Sequence, residues 1–123
     1  MRYVVHSYEN MYNSLHGIET FSVVEGSMND AIEVGKEESY SLMTSYSAVY
    51  NDLMSIIEDI ADEEEFQCGS MRWEEVEAEV FGDNVAFDIF IVDDTCPYTT
   101  REIDSILASN PLDFIADWCK ETY

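Results

Sequence analysis

The sequence predicts an α+β fold: a small antiparallel sheet of about four strands with helices packed on it, in the order β-β-α-α-β-β-α-α. Three observations carry that expectation. A β-branched and aromatic run opens the chain at residues 2–8. Apolar residues recur at helical spacing from Met28 to Ile60. A strict alternation over residues 75–80 is followed, after Gly82-Asp83-Asn84, by the apolar run Val85 to Val92. With 123 residues, 46% of them hydrophobic, the chain is expected to form one domain over residues 1–123.

Arg2 to Tyr8 reads as the first strand, Asn10 to Gly17 as a turn, and Ile18 to Glu25 as the hairpin partner, ended by Gly26. Ser27 is placed as an N-cap, with Asp30 in the capping-box position. A single helix over residues 28–64 would be ~55 Å long, too long for a domain of this size. Gly35, Ser39 and Ser41 weaken its middle, so a break is expected near Thr44-Ser45. The segment from Tyr46 to Glu64 then carries an apolar stripe of Val49, Leu53, Ile56, Ile57 and Ile60.

Gln67 to Ser70 reads as a linker into a second hairpin. In its favoured register Val76, Ala78 and Val80 face Ile91, Ile89 and Phe87. The other face would carry Glu75, Glu77, Glu79, Phe81, Asp88, Phe90 and Val92, with Glu79 opposite Asp88, a like-charge pair that destabilises. Asp93 to Tyr98 is a loop. Thr99 caps a short helix with Glu102 at the capping-box position and Ile103, Ile106 and Leu107 as its apolar face. Asn110-Pro111 opens the last helix, expected to bury Leu112, Ile115, Ala116 and Cys119 beside Trp118.

The charge is unevenly placed. Five Lys and Arg stand against 27 Asp and Glu, a net charge of −22. Residues 58–94 hold fourteen of those acids and one base, Arg72, for a net of −13, whereas residues 1–57 hold eight acids. A protein acidic only for solvation in high salt would spread its acids evenly. Solubility alone needs a net charge of magnitude roughly 2–8 in a small domain. DNA, RNA and anionic membranes would repel this chain, so its partners are expected to be basic. No apolar run approaches the ~20 residues of a membrane span, and the N-terminus lacks a signal-peptide core; a cytoplasmic protein is expected, monomeric or homodimeric.

Catalytic chemistry finds little footing. Cys68, Cys96 and Cys119 form no CxxC pair, which argues against a disulfide scaffold or zinc site. His6 and His16 are the only imidazoles, and no spacing pairs either with a nucleophile. The best carboxylate cluster, Asp59-x-x-Asp62-Glu63, lacks an EF-hand's central Gly and terminal Glu. Nuclease centres with acidic ligands usually add a Lys, and only Lys36 and Lys120 are present. No phosphate-binding or hydrolase motif occurs. The expectation is a protein without enzymatic activity, cofactor or metal.

What remains is a binding surface. The candidate partner-binding acids are Glu58, Asp59, Asp62, Glu63, Glu64, Glu65, Glu74, Glu75, Glu77, Glu79, Asp83 and Asp88. Trp73, Phe81 and Phe90 are candidate apolar anchors inside the acidic rim; the bland alternative makes them a second core layer. Of the eight tyrosines, among them Tyr3, Tyr8, Tyr12, Tyr40, Tyr46 and Tyr50, most are expected to pack and some to suit an interface. Asp62 to Glu65 oppose the dipole at a helix C-terminus. On a strand, Glu75, Glu77 and Glu79 would stand ~6.7 Å apart, similar to neighbouring phosphates along a DNA strand, which carries one charge per ~3.4 Å of axis.

In this composition the chain resembles the small, very acidic proteins that phages and mobile elements use as DNA mimics, including anti-CRISPR and antirestriction proteins. The acids of residues 58–94 and the near absence of Lys carry the resemblance; no motif aligns. It implies an inhibitor seated in the basic DNA- or PAM-binding cleft of a nuclease, a CRISPR effector first and a restriction enzyme next. The rival readings are an immunity protein neutralising a basic nuclease toxin, as barstar does barnase by charge-steered association, and a small acidic protein-interaction module.

Overall fold

The computed structural model describes residues 1–11 and 18–123. The turn expected over residues 10–17 therefore lies, from Tyr12 onward, outside the described residues, as does His16. The elements run β1 (Arg2–Glu9), β2 (Thr20–Glu25), α1 (Met28–Ser45), α2 (Ser47–Glu64), α3 (Met71–Asn84), β3 (Val85–Val92), α4 (Thr100–Ser109), α5 (Pro111–Trp118) and β4 (Cys119–Glu121). The four strands form one antiparallel sheet in the order β2-β1-β3-β4. The fold is α+β.

Helix starts follow local chemistry. Ser27 Oγ accepts from Asp30 N–H at 3.2 Å while the Asp30 carboxylate accepts from Ser27 N–H at 2.9 Å. Thr99 and Glu102 repeat the exchange at 3.2 and 3.0 Å. These backbone donors hold the Asp30 and Glu102 carboxyls below their ordinary values. A lowered value means their support is present above the unfolded pKa and is lost as pH falls through the folded one. Asn110 and Pro111 start α5 as expected. The expected break falls at Tyr46, whose extended backbone ends α1 and begins α2.

Three apolar clusters hold the layers. α1 covers one face of the sheet, with Ala31 against Tyr3, Val5 and Ile89. Its close approach comes from Gly35, where an added Cβ would lie 2.6 Å from Phe87 Cγ. Ser39, buried on α1, closes the end of the β1–β3 ladder: its hydroxyl donates to the Tyr8 carbonyl and accepts from Ala86 N–H at 3.0 Å. α4 and α5 cover part of the opposite face, packing Ile103, Leu107 and Phe114 on Val4 and Val92. The third cluster joins the C-terminal part of α1 to a helical hairpin of α2 and α3, through Leu42, Met43, Val49, Leu53, Ile57, Trp73, Val76 and Phe81.

The largest departure from the sequence expectation is α3. Residues 75–80 are helical, so the second hairpin and its Glu79–Asp88 pair do not exist; β3 pairs with β1 on one side and β4 on the other. Val76 and Val80 are four apart, a spacing that satisfies period 2 and period 3.6 alike. The flanking residues decide it. Trp73 and Phe81 extend the stripe only on a helix, Ser70 caps it by accepting from Trp73 N–H at 3.2 Å, and Glu and Ala favour helix over strand. In α5 the buried residue is Phe114; Leu112 is 71% exposed and Ala116 is exposed, while Cys119 belongs to β4. Val92, expected on the glutamate face, is buried beneath α4 and α5.

Candidate functional site

The hairpin of α2 and α3 is where the acids gather. Residues 47–84 hold twelve carboxylates and one guanidinium, a net of −11. On α2 the buried stripe is Val49, Leu53, Ile57 and Ala61. At 100° per residue, Asp52, Glu58, Asp59, Asp62 and Glu63 fall within a sector of about 140° centred opposite that stripe. All five are exposed. Nothing basic occupies the last turn of α2. Glu65 follows it in the left-handed conformation, φ 60°, a position that favours Gly or Asn.

On α3 the helix redraws the acidic row. Glu75, Glu79 and Asp83, all exposed, stand at i, i+4 and i+8, in steps of ~6 Å along the axis. Glu77 leaves the row: it lies half-buried on the core side and its carboxylate accepts from Trp73 Nε1 at 3.1 Å. Arg72 ties the two helices, reaching Glu64 at 3.1 Å and Glu75 at 3.3 Å. Hydrogen bonds to Glu64 first and Glu75 next, with the charge of Glu79 beyond them, raise the guanidinium further above its already high value.

The other expected residues divide. Glu58, Asp59, Asp62, Glu63, Glu64, Glu65, Glu74, Glu75, Glu79 and Asp83 are exposed on the hairpin. Asp88 is elsewhere, half-buried on the sheet 3.6 Å from His6 Nδ1. His6 also lies 3.4 Å from Glu19 and stacks on Phe21 at 4.3 Å. Burial first, then the Asp88 charge, raises the neighbouring Tyr8 phenol. The expected apolar anchors Trp73 and Phe81 are core residues, 7% and 3% exposed, and Phe90 is half-buried against the α4–α5 cluster. The exposed aromatics among the described residues are instead Tyr40, Tyr46, Tyr50, Tyr98 and Tyr123.

Two further features bear on chemistry. The Cys119 thiol is pushed up to about 12 by burial and by Cys96, which keeps it protonated and unreactive at neutral pH. Among the described residues, no three His, Cys, Asp or Glu side chains are grouped to hold a metal ion, and no helix is long and apolar enough to cross a membrane.

Gly82 interrupts the exposed side of α3. An added Cβ would meet no atom within 4 Å, and a helical Gly costs roughly 0.5–1 kcal/mol relative to Ala. Gly82→Ala should therefore raise stability by about that amount in urea unfolding; a loss would mean the position is sterically constrained after all.

Comparison of the chain with protein-family models, with curated proteins and with solved structures finds no match.

Proposed function

We propose that this protein is a non-enzymatic inhibitor that occupies the basic DNA-binding cleft of a nuclease, its carboxylates standing where phosphates would. The observation that carries the reading is the outward face of the α2–α3 hairpin: five acids opposite the α2 core stripe, and a row of Glu75, Glu79 and Asp83 on α3. Local stability opposes this placement. Like charges at i, i+4 destabilise a helix by ~0.2–0.5 kcal/mol per pair, acids oppose the dipole at the α2 terminus, and Glu65 takes a backbone conformation that suits glycine.

The row's ~6 Å step approaches twice the ~3.4 Å axial rise per phosphate of one DNA strand. Arginines and lysines arranged for phosphates would accept these carboxylates by charge-assisted hydrogen bonds. Long-range attraction would speed encounter and would weaken as salt rises. A CRISPR effector is the first target class, through its PAM-reading arginines, and a restriction nuclease the second. The protein would act in the cytoplasm of a bacterial cell, by occupancy and without a chemical step.

The test is capture of nucleases from bacterial lysate on the immobilised protein, with and without duplex DNA, followed by inhibition assays on the captured enzyme. Glu75→Gln/Glu79→Gln/Asp83→Asn and Asp59→Asn/Asp62→Asn/Glu63→Gln should each weaken binding at least about tenfold, a loss of ~1.4 kcal/mol, with the fold retained or stabilised. A captured nuclease that DNA does not displace, or inhibition that survives both triple substitutions together, refutes the reading. Capture of a small basic toxin would favour the immunity alternative.

A further inference from the structure

Between α1 and α3 runs a cleft whose two lobes, about 300 and 430 Å³, share Tyr40, Gly82 and Val85 as walls. One lobe ends at Glu74 and Glu77; the other ends at Lys36 and Glu37. Tyr40 is 49% exposed, and its ring sits 5.6 Å from that of Phe81. Gly82 contributes no side chain and has empty space where one would stand. Nothing among the described residues uses the room that this glycine leaves.

We propose that this cleft receives an arginine side chain of the basic partner. Its aliphatic stem would lie over Val85 and Gly82, its guanidinium would stack on Tyr40, and its N–H groups would reach the carboxylates of Glu74 and Glu77. The proposal deepens the preceding functional reading and rests on it for the identity of the partner as a basic protein. Four features support the fit. The carboxylates are three residues apart on one helix and repel each other until a cation joins them. Glu77 is held by Trp73 Nε1, and an ionised carboxylate keeps capacity for further donors. An aromatic face beside two acids suits a planar, weakly hydrated guanidinium better than a compact ammonium. In the far lobe Lys36 stands with Glu37, so the charges lining that end cancel, while the near lobe presents two acids and draws the cation to its side.

The probe is a capped, fluorescein-labelled hexa-arginine peptide, with hexa-lysine beside it, read by anisotropy on the full chain at 0.15 M salt. Tyr40→Leu removes the stacking face while keeping an apolar wall. Gly82→Gln fills the cleft from a position with no steric conflict and improves helix propensity. Each should weaken hexa-arginine binding about fivefold, the scale of one cation–π contact, with melting temperature unchanged or raised for Gly82→Gln. Wild type should prefer arginine to lysine, and Tyr40→Leu should lose that preference. Glu75→Gln/Glu79→Gln/Asp83→Asn, which removes three charges outside the cleft, should leave the preference intact. Unchanged binding in either cleft variant, no preference for arginine, or no hexa-arginine binding by wild type overturns the proposal. Because DNA takes no part in this assay, the cleft can fail while DNA-competed nuclease capture succeeds, and the reverse.

Discussion

Gly35→Val should cost about 3 kcal/mol, at the upper end of ordinary overpacking, and lower the melting temperature on the order of 10 °C. Two effects oppose each other at this site. Replacing a mid-helix glycine gains up to ~1 kcal/mol of propensity, less for a β-branched residue. Against that, even a Cβ at Gly35 would lie 2.6 Å from Phe87 Cγ, 2.7 Å from Cδ2 and 3.1 Å from Cβ. Phe87 has little freedom to yield. Its Cβ is fixed to β3, which pairs with β1 at Ser7↔Phe87, and its ring stacks on Tyr123 at 5.4 Å. Clash therefore outweighs propensity, and α1 must lift from the sheet. Thermal unfolding of Gly35→Val, Phe87→Ala and the double variant checks this. The double variant should lose less than the two single losses added together, because Ala lacks the Cγ and Cδ2 atoms that lie closest to the added Cβ. Full additivity would show that the two residues do not meet.

How much of this was legible beforehand depended on the range of the interactions involved. Caps are local, and Ser27/Asp30, Thr99/Glu102 and Asn110-Pro111 announced three helix starts within four residues each. The break at Tyr46 followed from length. Strand identity at residues 2–8 and 85–92 was also legible, but not the sheet order, because β3 adds beside β1 and not beside β2, the strand before it in sequence. β4 has three residues and depends on the ladder that Val92 offers Cys119; no local pattern marks it. α3 was ambiguous because Val76 and Val80 fit both periods, although the helix-forming Glu and Ala between them already favoured a helix.

The acidic surface shows the same division. That most of these carboxylates would be exposed was readable, since charges seldom bury unpaired; Glu77 and Asp88, both half-buried, are the exceptions. Which of the carboxylates align was not readable, because the answer changes with the backbone. A strand would line up Glu75, Glu77 and Glu79; the helix lines up Glu75, Glu79 and Asp83 and gives Glu77 to Trp73. The anchors failed for the same reason: Trp73 and Phe81 face inward on a helix. The cleft between α1 and α3 joins Tyr40 to residues 74–85, a juxtaposition that no sequence spacing records.

Leu53→Ala should destabilise the protein by ~2–5 kcal/mol, and most of the loss should appear in the α2–α3 hairpin. Leu53 is fully buried at the centre of the cluster that joins α2 and α3 to α1, with Val49 and Ile57 one turn away on either side. That cluster is distinct from the ones beneath α1 and beneath α4–α5. Its outer surface also carries the densest like charge in the chain. Repulsion among these acids opposes compaction, so the hairpin depends on its apolar side more than a neutral one would. A truncation there should lower the free energy of local opening more than that of the sheet. Amide hydrogen exchange reads the difference: protection in α2 and α3 should fall steeply while β1 and β3 keep more of theirs. An equal fall everywhere would mean that the three clusters unfold as one unit. Raising salt should restore part of the lost protection by screening the acids, and the same salt should weaken binding to a basic partner. Charge repulsion that destabilises the free hairpin would then be the same property that draws a cationic cleft onto it.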